Sequence, residues 1–258
     1  MTATAPAAIL DRPRLLALSG VTMASLAAWV ALGLVHAAAP PGGLDWLAAL
    51  CRGAAVPVAA LPGAVAIWIL MSIAMMLPTA APAIDIYVRL SRRIESRRGA
   101  HVAGFAGGYL AAWAGFAAVA STLQVLAGLR IGDGLQALPQ AGLAGGLLIL
   151  AGAYQLTPLK QACLSKCRNP LAFFMSHWRE GTGGALRMGL HHGAICIGCC
   201  WALMGLMLVF GTMNLAWMAG LGLLMLLEKT APGAVGLGRL LGLAMALAGA
   251  ALIATEFT

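Results

Sequence analysis

The chain has 258 residues, of which 61% are hydrophobic and only 9% are charged, and its formal net charge is +8. Soluble domains carry about 25% charged residues, so this composition excludes a water-soluble globular protein. Its long apolar runs are continuous, whereas the strands of a membrane barrel alternate apolar and polar residues. We therefore predict an all-α transmembrane helix bundle that forms a single integral membrane domain over residues 1–258.

The positive charges fall in short segments that flank the predicted spans, as expected for cytoplasmic loops. Of the 16 Lys and Arg residues, only Arg52 and Arg130 lie on the outer side in the predicted topology. We predict a multi-pass protein of the bacterial inner membrane whose N-terminus, residues 1–14, is a cytoplasmic tail. The surroundings are then the lipid bilayer, and a nucleic-acid partner is not expected.

Seven spans are predicted, and six or eight also fit, because residues 44–60 are short for a span and are interpreted as an external loop or interfacial helix. The predicted spans cover residues 15–38, 63–88, 102–129, 137–156, 188–210, 215–227 and 235–254. Outer turns are expected at 130–134 and 211–214, and residues 157–187 form a cytoplasmic loop that contains cysteines. Asp85 is expected to pair with the arginines that follow it.

The second span contains two features of chemical interest. Pro78 and Pro82 interrupt its backbone hydrogen bonds, and such a kink can open a pocket in a membrane helix. Met71 and Met75 lie four residues apart on one face, and thioethers are soft ligands that suit Cu(I). Packing is the more common role of a single buried Met, so both interpretations stay open.

Cysteine and histidine are concentrated in the cytoplasmic loop and in the fifth span. A short helix is predicted to begin at Thr157-Pro158 and to end at Pro170. Within it, Cys163 and Cys167 stand four residues apart and therefore share one face. The apolar segment 171–178 that follows is predicted to lie along the membrane interface.

The fifth span includes the stretch MGLHHGAICIGCCWALMGLM. His192, Cys196 and either Cys199 or Cys200 follow at steps of three or four, so they share one helix face, and His191 adjoins them. Polar groups inside a membrane helix indicate function, and thiols and imidazoles are the ligands of soft and borderline metals. His192 and Cys200 are roughly 12 Å apart along the helix, too far for every group to bind one ion.

Two arrangements of these ligands stay open. Either the fifth span supplies one site and Cys163 and Cys167 supply a second, or the loop cysteines fold against the fifth span and complete a shared site with His191. Ligand softness favours copper, with zinc or iron as alternatives. The candidate metal ligands are Cys163, Cys167, His191, His192, Cys196, Cys199, Cys200, Met71 and Met75.

Long ordered motifs run through the second half of the chain: YQLTPLKQACLSKCRNP, HWREGTGGALRMGLHHGAICIGCCWALM, MNLAWM and EKTAP, preceded by AMMLPTAAP in the second span. Together they closely resemble a bacterial family of predicted metal-binding integral membrane proteins, over roughly residue 65 to the end. The resemblance implies a metal-binding helix bundle but no particular reaction. The soft groups that match are Cys163, Cys167, His192, Cys196, Cys199 and Cys200.

The first functional hypothesis is an inner-membrane metal-binding protein that handles copper or delivers it to a membrane metalloenzyme, with that enzyme or a metallochaperone as partner. The second is a membrane oxidoreductase, or a subunit of one, which uses copper for oxygen chemistry or cycles Cys196 and Cys199 as a dithiol against quinone. A disulfide within a regular helix is geometrically poor, which counts against the dithiol version. The third is a metal transporter, although the halves of the chain show no repeat of the kind common in such proteins. Whether the protein is an enzyme stays open at this stage.

Overall fold

The computed structural model describes residues 12–37, 58–91, 98–134, 140–210, 214–231 and 233–255. All regular structure in these ranges is helical, which confirms the predicted all-α fold class. The helices are α1 (Arg12–Ala37), α2 (Leu61–Leu90, preceded by a 3-10 turn at Val58–Ala60), α3 (Arg98–Gly134), α4 (Gln140–Leu156), α5 (Pro158–Arg168), α6 (Pro170–His177), α7 (Gly181–Gly205), α8 (Met207–Phe210), α9 (Leu215–Thr230) and α10 (Ala234–Ala254).

Among the described residues, five helical stretches are long and apolar enough to cross a membrane: Arg12–Ala37, Val58–Leu90, Gly99–Leu126, Gly181–Gly205 and Gly236–Ala254. α4 contributes a shorter apolar stretch, Ala144–Leu156, and α9 has 16 residues. The count of seven spans therefore stays a prediction. Residues 1–11 of the predicted tail, 44–57 of the predicted external segment and 211–213 of the predicted outer turn lie outside the described residues.

Two predicted boundaries are wrong. α3 continues to Gly134, through the turn predicted at 130–134, because the first helix-breaking proline beyond it is Pro139. α7 begins at Gly181 instead of residue 188, so the segment predicted as a cytoplasmic loop is shorter than predicted and consists mainly of α5 and α6. Gly181 has a positive φ of 76°, which glycine adopts without strain, and the chain turns into α7 at this point.

An ion-pair cluster joins α1 to α2. Arg14, near the start of α1, pairs with Asp85, near the end of α2, so the two helices are antiparallel. Asp85 also pairs with Arg89 at 3.0 Å, which confirms the predicted pairing with an arginine that follows it.

A side chain of α1 satisfies a backbone group that Pro78 leaves free in α2. Because Pro78 has no backbone N–H, it leaves the carbonyl of Ala74 without its helical partner. Ser25 Oγ of α1 donates a hydrogen bond of 2.8 Å to that carbonyl. A neighbouring helix thus satisfies the freed carbonyl group.

α3 packs closely against α7, and the two helices run parallel. Gly108 of α3 approaches the backbone of Leu186, and Gly189 of α7 approaches the backbone of Phe105, so closely that an added Cβ would overlap a carbonyl oxygen. Small residues permit this contact between membrane helices. As a result, the face of α7 that carries Cys196 packs against the aromatic face of α3.

Basic residues are distributed unevenly along the bundle. One half of the bundle contains the start of α7 and reaches to the level of Cys196. All described Lys and Arg residues lie in this half except Arg130, which is near the end of α3. They are Arg12, Arg14, Arg89, Arg98, Lys160, Lys166, Arg168, Arg179, Arg187, Lys229 and Arg239.

Candidate metal centre

Three buried thiols converge between α5 and α7. The sulfur atoms of Cys167, Cys196 and Cys199 all lie within 4.8 Å of one another, and those of Cys167 and Cys199 are 3.9 Å apart. We call these three residues the thiol cluster. Metal–sulfur bonds of about 2.3 Å place three sulfurs of a trigonal site roughly 4 Å apart, so this spacing fits a single soft ion.

The local sequence explains how α5 presents Cys167. Pro158 occupies the first turn of α5, and the side chain of Thr157 caps the helix by accepting a hydrogen bond of 3.2 Å from the Lys160 N–H. Asn169 ends α5, and its side chain accepts a hydrogen bond from Ala172 N–H, which starts α6. The helix predicted between Thr157 and Pro170 is therefore confirmed.

A buried ion pair fixes α5 against α9. Lys160 Nζ lies 2.8 Å from both carboxylate oxygens of Glu228, and both side chains are almost fully buried. Lys160 and Cys167 are seven residues apart, two turns along one face of α5. The ion pair therefore sets the position at which Cys167 meets α7.

The remaining described cysteines adjoin the thiol cluster. Cys200 is buried, and its sulfur is 3.4 Å from that of Cys199. Cys163 is partly buried, and a Cβ added at Gly198 would lie only 2.9 Å from its sulfur, so the glycine leaves space for this thiol. The cysteines of α5 therefore lie against α7, as in the predicted arrangement in which the loop folds onto the fifth span. A metal site shared between the two helices stays a prediction.

Two polar side chains that the sequence analysis did not select contact the thiol cluster. Lys229 Nζ of α9 donates hydrogen bonds to Cys196 Sγ at 2.8 Å and to Thr79 Oγ1 at 2.9 Å. Tyr109 Oη of α3 lies 3.1 Å from Cys196 Sγ and donates to the Met76 carbonyl at 2.9 Å. Lys229 could have been selected from the sequence, because it is a lysine at the end of an apolar helix and belongs to the EKTAP motif.

These contacts give the thiol cluster its electrostatics. The Lys229 ammonium is 93% buried and stabilises negative charge on the Cys196 sulfur. The contact of Cys167 with Cys196 raises the pKa of Cys167 well above its ordinary value, and burial acts in the same direction. Because a metal binds the thiolate form, ion binding here would release the Cys167 proton.

The predicted histidines lie beside the thiol cluster, not in it, since among the described residues the converging group consists of cysteines alone. His192 is 97% buried, and its ring centre is 6.1 Å from that of Tyr109. Within the described part of the chain its Nδ1 has no hydrogen-bond partner. His191 is exposed and contacts His177 instead.

The two candidate methionines of α2 occupy packing positions. Met71 is fully buried in the core. Met75 packs beside Gly222 of α9, since a Cβ added to this glycine would lie 3.5 Å from the Met75 Cγ. Their metal-binding role stays a prediction.

Comparison with known proteins gives one match. The family described as "PpoB2: Copper chaperone" matches residues 65–252, which include all of α3 to α9, most of α2 and α10, the thiol cluster and Lys229. No curated protein and no solved structure matches the chain. The match supports a copper-related family, and with it the copper handling that ligand softness predicted. Because it covers well over half of the sequence, the chain belongs to the copper chaperone family PpoB2.

Proposed function

We propose that this protein is a membrane-embedded copper chaperone that carries Cu(I) between Cys167, Cys196 and Cys199 and delivers it to a metalloenzyme. The observation that carries the proposal is the convergence of three buried sulfurs within 4.8 Å of one another. Soft thiolate ligands select Cu(I) among the common metals. Membership of a copper chaperone family supports the same metal.

Charge compensation supports a thiolate site at this position. Three thiolates and one Cu(I) carry excess negative charge, which is costly to bury without a partner. The Lys229 ammonium at 2.8 Å from Cys196 supplies that partner. Lys229 therefore binds the cargo indirectly, by stabilising the anionic complex.

The way in which the site is assembled supports release as well as binding. Cys196 and Cys199 belong to the long helix α7, whereas Cys167 comes from the 11-residue helix α5. A small displacement of α5 removes one of three ligands without disturbing α7. We propose that a ligand of the receiving enzyme replaces Cys167 first, so that copper is never free.

The membrane location is part of the proposal. The five helices of membrane-spanning length, and the position of all described basic residues except Arg130 in one half of the bundle, support an inner-membrane protein whose basic half faces the cytoplasm. Arg12 and Arg14 at the start of α1 support an N-terminus on the cytoplasmic side.

Metal content tests the proposal directly. Protein purified in detergent under anaerobic conditions, with Cu(I) supplied, is expected to contain about one copper per chain. The triple variant Cys167→Ser/Cys196→Ser/Cys199→Ser is expected to lose this tightly bound copper. The matched control Cys163→Ser removes a neighbouring thiol outside the thiol cluster and should retain it. Equally low copper in the wild type and the triple variant would contradict the proposal.

A flux measurement separates a chaperone from a transporter. Proteoliposomes that contain the wild-type protein should bind labelled copper but should not accumulate it in their lumen. Accumulation that is lost in the triple variant would favour transport instead.

A further inference from the structure

A pair of histidines lies at the exposed edge of the α6–α7 contact. His177 is the last residue of α6, and His191 is on α7, and both side chains are exposed. Their ring centres are 4.7 Å apart, and the ring planes are inclined at 79°. We call these two residues the histidine pair.

Local hydrogen bonds prepare His177 to act as a ligand. Its Nδ1 lies 3.1 Å from the Phe173 carbonyl, which can only accept, so Nδ1 carries the proton and donates. Ser176 Oγ, 2.8 Å from the same nitrogen, accepts from it while its single proton is donated to the carbonyl of Ala172 or Phe173. The lone pair is then on Nε2, and an imidazole anchored in this way is the usual form of a metal ligand.

The spacing of the histidine pair suits one metal ion. Metal–nitrogen bonds of about 2.0–2.1 Å place the centres of two imidazoles roughly 5–6 Å apart when both bind the same ion. The observed 4.7 Å is close to this range, and exposed side chains can reach it by a small rotation.

A continuous line of side chains connects the histidine pair to the thiol cluster. The Phe173 ring contacts both members of the pair and, with its centre at 5.1 Å, the buried His192. His192 is 97% buried, and its Nδ1 has no hydrogen-bond partner among the residues that the structure describes, which is unusual for a buried imidazole nitrogen. Cys196 follows His192 by one helical turn, on the same face of α7.

The histidine pair lies at the charged boundary of the bundle. Tyr87 of α2 stacks on Phe105 at 5.0 Å, and Phe105 meets the backbone of Gly189, two residues before His191. The level of His191 is therefore close to that of Asp85, which pairs with two arginines. Water-exposed groups are expected at this level, where a copper donor has access.

The neighbouring charges indicate the form in which copper arrives. Lys166 and Arg179 both act electrostatically on His191. Positive groups repel a bare cation but attract an anionic Cu(I) complex. A thiolate-bound or chelate-bound Cu(I) anion is therefore the fitting donor.

We propose that the histidine pair is a second copper site, an entry site that receives Cu(I) from an anionic complex and passes it through His192 to the thiol cluster. This inference rests on the proposed function. Each transfer is a ligand exchange in which one bond to copper forms as another breaks. Copper remains Cu(I) throughout, and the thiol protons are released to water when the thiolates bind.

Loading kinetics test the entry site. Cu(I) is supplied anaerobically as its anionic bicinchoninate complex, and loss of the complex's colour is followed by stopped flow. The double variant His177→Gln/His191→Gln should load at least tenfold more slowly and reach the same final content of tightly bound copper. His36→Gln, which removes an exposed histidine from the opposite end of the bundle, is the matched control and should load normally. Unchanged loading in the double variant would overturn the proposal.

Equilibrium binding gives an independent result. The triple variant that lacks the thiol cluster should still bind one Cu(I) weakly, and the added His177→Gln/His191→Gln changes should remove it. A triple variant that binds no copper would also overturn the entry site. Wild-type protein that holds no tightly bound copper would instead contradict the proposed function, while the triple variant would still report on the histidine pair.

Discussion

Replacement of Lys229 by Met isolates the electrostatic contribution to copper binding. Met keeps most of the volume of the lysine stem but removes the ammonium that lies 2.8 Å from Cys196 Sγ. The expected result is weaker binding of Cu(I), because the anionic thiolate complex loses its buried counter-charge.

The size of the effect follows from Coulomb's law. Two unit charges about 4 Å apart interact by about 4 kcal/mol at the effective dielectric constant of 20 that suits protein sites. A loss of that size corresponds to about a thousandfold increase in Kd. Burial of the ammonium offsets part of the gain, so we expect Lys229→Met to weaken binding by about tenfold to a thousandfold.

Competition with a chromophoric Cu(I) chelator, under anaerobic conditions in detergent, measures this change. Lys166→Met is the matched control, because it removes the same charge from an exposed position on α5, next to Cys167 in sequence. It should change Kd by less than about threefold, in line with the weak effect of exposed charges. Lys229→Arg should recover part of the affinity. Equal Kd values for Lys229→Met and the wild type would refute the reasoning.

Two further predictions concern stability, measured as thermal unfolding in detergent. Gly189→Ala should destabilise the protein by about 1–3 kcal/mol, because the added Cβ would overlap the Phe105 carbonyl. The control Gly107→Ala has open space at its Cβ and should be neutral or stabilising by about 0.5–1 kcal/mol. Equal stability of the two variants would show that α3 and α7 are not in backbone contact at Gly189. Lys160→Met should cost about 3–5 kcal/mol, because it leaves Glu228 buried without its partner. The added change Glu228→Met should recover most of this loss, and a double variant less stable than the single one would contradict that explanation.

The sequence predicted the helices of the site better than their contacts. The ends of α5 were predicted correctly from local rules of helix capping. These rules used Thr157 and Pro158 at its start and Pro170 after its end. The same periodicity puts Cys163 and Cys167 on one face, so it cannot say which of them meets Cys199. That choice depends on how α5 is placed against α7 and α9, through the Lys160–Glu228 pair.

Lys229 shows the limit of reasoning from spacing along one helix. It is 33 residues from Cys196 and 150 from Thr79, and its hydrogen bonds to both arise only from the packing of α2, α7 and α9. The contact between His177 and His191 was likewise not predictable from their spacing in the sequence. It depends on how the short helix α6 packs back against α7. The grouping of the α7 thiols was predictable because they lie on a single helix. The side chains that contact them come from other helices, so they could not be predicted in the same way.

X-ray absorption at the copper edge of the Cu(I)-loaded protein tests the central claim most directly. The wild type and the Cys163→Ser control are expected to show three sulfur ligands at one copper, and Cys167→Ser is expected to lose one of them. A first shell of nitrogen and oxygen alone, or a sulfur count that Cys167→Ser leaves unchanged, would contradict a copper site at Cys167, Cys196 and Cys199.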